Sequence, residues 1–554
     1  MNESRFNFKS VILHSIYKET VTMRNKKLQV WLPLIFSLVM IVGMYFGYQL
    51  GGKNGNKKFF ASSKKNSIQE ALDRIKRSYV DSVNIDSLSI GAIEEMMSKL
   101  DPHSVYFPAT ELNEANEDLA GNFEGIGVEF NVFSDTVNII YVIPKSPAEQ
   151  SGLKVGDKII RVDDSLIAGR EQSNIDVRKL IKGKSGTSLQ LQIFRDKQLQ
   201  KLDVTRGSIP VSAIDAAYMI DKTTGYIRLN KFSKNAYREF MQNLEQMTGD
   251  GMKKLIFDLR GNGGGFMEAA TNIADEFLSD GKLIVYTEGL HSPKDEYKSK
   301  RPGMFEDTSN KLVVLVDELS ASASEVLAGA VQDWCRGKII GRRSFGKGLV
   351  QLQYDLSDGS AMRLTVARYY TPKGRSIQRS YENGKKVYID EIWERFSETD
   401  SLHNVEEIKY SNGKAFKTDC GGTVYGGGGI MPDFFIPHDS TQFDFATRRL
   451  FEIGSINKFV YLFYLRNRES IDKYKSAAEF NQQFFVTETI WKTFEDFAKT
   501  DSVSISSIPA KDKSFLQLRL KAQLARLKWR STGYYQVLNT EDDIFRKGLE
   551  VVSK

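Results

Sequence analysis

A chain of 554 residues is several times the commonest domain size, so more than one folded unit is expected. Hydrophobic residues make up 41% and charged residues 27%, an ordinary globular mixture that excludes wholesale disorder and a polytopic membrane protein. The 77 basic and 70 acidic residues leave a net charge of +7 mixed along the chain, so no nucleic-acid partner is expected.

The first feature in chain order is apolar. From Leu28 to Gly52 no residue is charged, and Val30 to Phe46 is almost wholly apolar. At ~1.5 Å per residue this run crosses most of a ~30 Å hydrocarbon core. Arg24, Lys26 and Lys27 stand just before it. By the positive-inside bias, residues 1–52 read as a cytoplasmic stub and a single-pass transmembrane anchor in the inner (cell) membrane, with the catalytic part extracytoplasmic, in the periplasm. The rival is a cleavable signal peptide, whose apolar stretch is only ~7–15 residues before a small-x-small site. Here the run is longer and continues into Tyr48-Gln49-Leu50. Met23 is a second candidate start beside Met1.

Residues 53–112 read as a polar linker, Lys53 to Asn66, and an N-terminal helical region. Ile68, Leu72, Ile75 and Tyr79, then Ile93, Met96, Met97 and Leu100, have helical spacing, and the second helix stops at Asp101-Pro102. Residues 113–206 change to short strands punctuated by Gly, with one helix near Ile175 to Ile181. In residues 207–440, apolar runs such as Lys254 to Asp258 and Leu312 to Val316 each precede a Gly- or Ser-rich turn and a helical stretch, the alternation of an α/β layer. Over residues 441–554 glycine nearly vanishes, while Phe459, Phe463, Tyr464, Leu516, Leu518, Leu520 and Leu524 give a helical C-terminal domain. The expected fold class is multidomain α+β.

Cys335 and Cys420 are too few for a disulfide framework and lack CxxC spacing. The five histidines, His14, His103, His291, His403 and His438, are scattered. No metal and no cofactor are expected.

Chemistry concentrates in two turns. Ser320-Ala321-Ser322-Ala323-Ser324-Glu325 lies between a buried-type strand and a helix. Ser322-x-x-Glu325 is a capping-box pattern, which by itself is structural. Small neighbours and the N–H groups of a helix N-terminus also suit an acyl-transfer nucleophile with a developing oxyanion. Residue chemistry alone does not choose among Ser320, Ser322 and Ser324. A base is needed, and no histidine lies in a comparable turn. Phe345-Gly346-Lys347-Gly348 places a lysine in small and apolar company, where desolvation penalises the ammonium form. Gln351, four positions on, can orient that amine; an exposed Lys on a surface hairpin is the bland alternative. Leu259-Arg260-Gly261-Asn262-Gly263-Gly264-Gly265 follows a strand, but Phe266 breaks GxGxxG and no GK[ST] follows, so a nucleotide loop is excluded.

Ser-Ala-Ser-Ala-Ser-Glu followed by Phe-Gly-Lys-Gly-x-Val-Gln resembles the C-terminal processing peptidases, or tail-specific proteases, which are Ser–Lys serine proteases with a PDZ domain. The resemblance implies that Ser322 is the nucleophile, Lys347 the base and Gln351 its orienting amide, with the N–H groups of Gly265 and Ala323 as oxyanion hole. It also covers Arg368 to Gln378 and Val424 to Asp433, to which no catalytic role is assigned, and Leu100 to Phe107, where His103 reads as a structural hydrogen-bonding residue. Gly125-Ile126-Gly127-Val128-Glu129-Phe130 and Ser146 to Ile160 resemble a PDZ domain, whose Gly125, Ile126, Gly127 and Val128 would take a chain-terminal carboxylate while the tail adds a strand. The domains expected are thus 113–206 PDZ, 207–440 protease core and 441–554 a helical extension open to dimerisation, substrate gating or docking of an adaptor protein. The function implied is an endopeptidase acting through an acyl-enzyme on proteins with accessible C-terminal tails. The alternatives are a non-catalytic tail-binding adaptor and a lipid-carrying relative on the same fold, for both of which retention of Lys347 would be idle.

Overall fold

The apolar run near the start is helical, Lys26–Lys53, with Pro33 inside it. In this computed structural model the described residues are 26–53, 67–133, 135–170, 173–395, 414–439 and 442–554; Arg24, residues 54–66 of the expected linker, His14 and His403 lie outside them, and Lys53 ends the helix instead of opening the linker. Two units are distinguished, residues 1–89 and 90–554. In the first, the described side chains of the helix Lys26–Lys53 are those of residues 31–47, and Trp31, Phe36, Ile41 and Phe46 are each more than half exposed. Among the described residues no helix is long and apolar enough to cross a membrane, so they do not supply the span expected over 28–52. A second helix, Ser67–Ser78, matches the first amphipathic pattern. Ile85–Ser98 matches the next and ends ahead of Asp101-Pro102.

Among the described residues the second unit holds four apolar clusters. The Gly-punctuated region is a sheet in the order Val128–Phe133, Thr136–Val142, Lys158–Val162, Ser188–Arg195, Gln198–Thr205, with Ser165–Leu166 beside the third strand. Its one long helix, Asn174–Ile181, starts on a capping box between Ser173 and Asp176. Ile139, Ile159, Val177, Leu191 and Ile193 fill the space between.

The α/β layer is a six-stranded sheet in the order Ile214–Met219, Thr224–Leu229, Lys254–Asp258, Lys311–Val316, Lys338–Gly341, Phe434–Phe435, parallel except for the first pair. Its central strands are apolar on both faces because both faces are covered. Leu255, Phe257, Leu312, Val314 and Val316 point to the helices Ala236–Gly249, Met267–Asp275 and Ala323–Asp333. The alternate residues Ile256, Val313, Leu315 and Ile340 meet Ile544, Phe545 and Val552 of the helix Asp543–Ser553. Each such side chain taken from water contributes about 1.5–3 kcal/mol. A second sheet pairs Ala361–Tyr370 with Val105–Phe107, Leu283–Gly289 and Leu349–Asp355, the last of which carries Gln351.

The C-terminal helices are Phe445–Glu452, Ser455–Asp472, Ala477–Gln483, Glu488–Thr500 and Ala510–Leu538. Leu516, Leu520 and Leu524, one turn apart, are buried, while Leu518 falls off that stripe and is only partly buried. Cys335 and Cys420, 85 residues apart, form a disulfide with a Cα–Cα distance of 6.1 Å. No spacing in the sequence signalled this pair. It ties the end of the helix Ala323–Asp333 to the hairpin Ala415–Lys417 and Thr423–Tyr425.

Candidate active site

The strand Lys311–Val316 runs into the Ser-rich turn, and the helix Ala323–Asp333, buried along its whole length, follows. Ser322 stands between them at φ 56°, ψ −113°. A non-glycine residue is strained there and persists only where its surroundings over-determine it. Its N–H donates to Glu325 Oε2 at 2.8 Å. Its carbonyl accepts from the N–H groups of Glu325 and Val326 at 2.8 and 3.0 Å, and Tyr369 Oη lies 2.9 Å away. The flanking serines have other work. Ser320 Oγ donates to Leu259 O at 2.9 Å and Ser324 Oγ to Asn262 O at 2.8 Å, and both residues are fully buried. Ser322 is the partly exposed member of the three.

The Gly-rich turn lies directly against Ser322. Gly264 has φ +99°, and a Cβ on it would sit 2.8 Å from Ser322 Cβ, 2.8 Å from Ala321 O and 3.1 Å from Ala323 N. A Cβ on Gly265 would sit 2.3 Å from Phe232 O. Both positions therefore require glycine for close approach. Asn262 holds the turn: its Nδ2 donates to Leu229 O at 2.9 Å, its Oδ1 accepts Gly264 N–H at 2.9 Å, and its carbonyl accepts Ala321 N–H at 3.0 Å. Ala323, the first residue of its helix, has no helical acceptor for its own N–H. Behind the turn, buried Asp258 accepts from Tyr226 Oη, Arg228 and Arg260, and Arg260 reaches on to Asp542 at 2.8 Å. Those two guanidiniums hold the Asp258 carboxyl well below the usual carboxylate range even though burial opposes them.

Lys347 arrives from the other side. Glu325, fully buried, accepts four donors: Ser322 N–H, Lys347 N–H at 2.9 Å, Gly346 N–H at 2.7 Å and Ser344 Oγ–H at 2.5 Å. Burial pushes its carboxyl up to about 7, and the donors work against that rise. Burial also lowers the Lys347 pKa, with Asp101 and Glu325 opposing and Arg363 adding to the fall. Lys347 Nζ donates to a neutral amide, Gln351 Oε1, at 2.8 Å. Gln351 Nε2 in turn donates to the His103 carbonyl. The His103 ring meets Tyr388 Oη at 2.8 Å, and burial, then Lys347, lowers its pKa to about 4. Tyr369 Oη also reaches Lys347 O, bridging the two loops.

Of the expected tail-binding residues, Gly125 ends the strand Asn122–Gly125 and Val128 begins an edge strand. Gly127, at φ +82°, passes so close to Ser146 that a Cβ would lie 2.4 Å from it. Ile126 is buried, and its carbonyl accepts Ala148 N–H at 2.8 Å. The four residues line a cavity of about 950 Å³. Among the described residues no group of three His, Cys, Asp or Glu could hold a metal ion.

Three roles escaped the sequence. Glu325 was legible as a cap, but its hold on the lysine loop was not, because residues 325 and 344–347 share no local pattern. Tyr369 and Arg375 belong to a stretch with no assigned role; Arg375 forms a buried pair with Asp333 at 2.5 Å, fixing the far end of the Ser322 helix.

Residues 223–384 match Peptidase family S41 and residues 125–205 match a PDZ domain. Residues 42–110 match the activating protease CtpB N-terminal domain, and residues 446–530 a family of unknown function, DUF8443. The carboxy-terminal processing protease CtpA of Bacillus subtilis (strain 168) is 33% identical over 333 residues, 60% of this chain and 69% of that protein. The chain belongs to the C-terminal processing peptidases of family S41. This S41 peptidase is also 32% identical over 316 residues to the carboxy-terminal-processing protease of Bartonella bacilliformis, 56% of this chain and 71% of that one. Among solved structures it is similar to a photosystem II D1 C-terminal processing protease, at 30% identity and a TM-score of 0.33, covering 56% of this chain and 89% of that one. The S41 peptidase is a serine-type endopeptidase, an enzyme and not an adaptor alone, with PDZ module, protease core and helical C-terminus.

Proposed function

We propose that this S41 peptidase cuts proteins presented by their C-terminal tails, with Ser322 as nucleophile and Lys347 as base, outside the cytoplasm and held at a membrane through the apolar run of its N-terminal region. The observation that carries the reading is Glu325. One buried carboxylate takes the main-chain N–H of both Ser322 and Lys347, while the lysine amine, depressed by burial, rests on a neutral amide.

Lys347 takes the Ser322 proton as Oγ bonds to the scissile carbonyl carbon. The resulting oxyanion accepts from Gly265 and Ala323 N–H. Lys347 returns the proton to the leaving amine as the C–N bond breaks, leaving an ester on Ser322. Water then attacks that ester with its proton passing to Lys347, and Ser322 regains a proton as the new carboxylate leaves. The tail's carboxylate sits at Gly125 to Val128 during these steps. The disulfide Cys335–Cys420 favours an oxidising compartment, and the exposed apolar side chains of the helix Lys26–Lys53, preceded by basic residues, favour insertion in lipid.

Lys347→Arg keeps the charge and cannot act as a base near neutral pH; Lys347→Met removes the amine while keeping the stem. Both are expected to lower peptide cleavage by about 10³-fold with the circular dichroism spectrum retained. Cleavage at the native rate in either variant would overturn the dyad. Amidating the substrate's terminal carboxylate is expected to raise KM, and an unchanged KM would overturn tail capture.

A further inference from the structure

The strand Val128–Phe133 pairs with Thr136–Val142 on one side, and among the described residues no strand lies on the other. Val128, Phe130 and Val132 pack on the core of the module. Alternation therefore turns Glu129 to the opposite face. There it meets the C-terminal helical domain: Arg526 Nη2 lies 3.3 Å from Glu129 Oε2, and Arg530 pairs with Glu129 Oε1. Arg530 also sits over the Tyr141 ring, 3.5 Å from its centroid. It occupies the break in the helix Ala510–Leu538, where Trp529 has φ −110° and Arg530 φ 58°, ψ −152°. A continuous helix would give residue 530 a different direction; the break turns it to the module.

Arg526 and Arg530 line the same cavity as Gly125, Ile126, Val128 and Arg178. A tail that adds a strand to Val128–Phe133 would lie in that space. Two guanidiniums share one carboxylate, leaving one positive charge uncompensated between the three. Their side chains are 40% and 29% exposed and that of Glu129 is 37% exposed. Ion pairs so open to water are held weakly, and a guanidinium accepts a second carboxylate in bidentate geometry.

We propose that Arg526 and Arg530 form a subsite through which the C-terminal helical domain reads an acidic side chain of the captured tail. The inference rests on the tail-binding reading of the PDZ module. Residues paired across strands share a face, so every second tail residue faces the Glu129 side. Asp or Glu is therefore selected in one alternating frame and not in the other.

The test uses the full chain carrying Ser322→Ala, which binds without cutting, and fluorescent tail peptides in which Asp is scanned against Asn through the last four positions. Anisotropy is expected to give about five-fold tighter binding at two alternate positions and none at the other two, with the gain lost at ~0.5 M salt. Arg526→Gln and Arg530→Gln, made separately, are expected to bring the Asp-to-Asn ratio to about one, and Glu129→Gln to raise it. Should Arg530→Gln fail to fold, Arg526→Gln alone decides. A ratio that is uniform along the tail or indifferent to both arginines overturns the subsite, and if tail amidation still weakens binding, tail capture itself survives. If amidation has no effect either, both readings fall together.

Discussion

Glu325 accepts the main-chain N–H of Lys347 at 2.9 Å on the same oxygen that takes the Ser322 N–H at 2.8 Å. The loops of the proposed nucleophile and base therefore meet on one atom. Glu325→Gln leaves a single acceptor and turns an NH₂ toward donors. It is expected to lower kcat by about 10²-fold with KM for tail peptides nearly unchanged, and to cost about 1–3 kcal/mol of stability. Steady-state kinetics and urea unfolding measure both, and a native kcat would remove Glu325 from any positioning role.

The same carboxyl makes stability depend on pH in a definite direction. Its folded pKa is raised from 4.5 to about 7, so the fold prefers the protonated form. The stability this confers is complete below pH 4.5 and is lost as pH rises through about 7. At ~1.4 kcal/mol per unit that is a fall of about 3 kcal/mol, which Glu325→Gln abolishes. With Lys347 as the proposed base, its depressed pKa is expected to make kcat/KM rise with pH until the amine is neutral. Unfolding curves of both proteins across pH 4–8 check the first statement; parallel pH profiles would contradict it.

The three serines are expected to separate cleanly. Ser320→Ala and Ser324→Ala remove buried hydroxyls that donate to Leu259 O and Asn262 O, and each costs about 1–3 kcal/mol with cleavage reduced but measurable. Ser322→Ala abolishes cleavage with little change in the thermal midpoint. If Ser320→Ala or Ser324→Ala instead eliminated chemistry in a stable protein, the assignment would move.

Replacing Cys335 and Cys420 by Ser releases a loop closed across 85 residues. The expected loss is about 2–4 kcal/mol, read as a lower urea midpoint for the double variant. The native chain treated with reductant should show the same shift, and coincident unfolding curves before and after reduction would refute it.

Local pattern made most elements legible. Lys254 to Asp258 and Leu312 to Val316 are strands where the apolar runs placed them, and Asn174–Ile181 is a helix within one residue of its expected start. Gln351 was readable as the lysine's partner because four positions separate them along one extended segment. Long-range pairings were not readable: Cys335 with Cys420, Glu325 with Ser344, and Arg526 with Glu129 join residues that no periodicity connects. The apolar run at 28–52 has the opposite difficulty, since its sequence signal is plain while the described residues give no helix that crosses a membrane.

The helix Asp543–Ser553 covers the back of strands that precede it by most of the protease core. A ribosome emits those strands first. Until Ile544 and Phe545 emerge, Val313 and Leu315 have no lid, and the scaffold beneath the Ser-rich turn stays unfinished. A chain that lacks this last helix therefore leaves one apolar face of the sheet that carries the Ser-rich turn open to water.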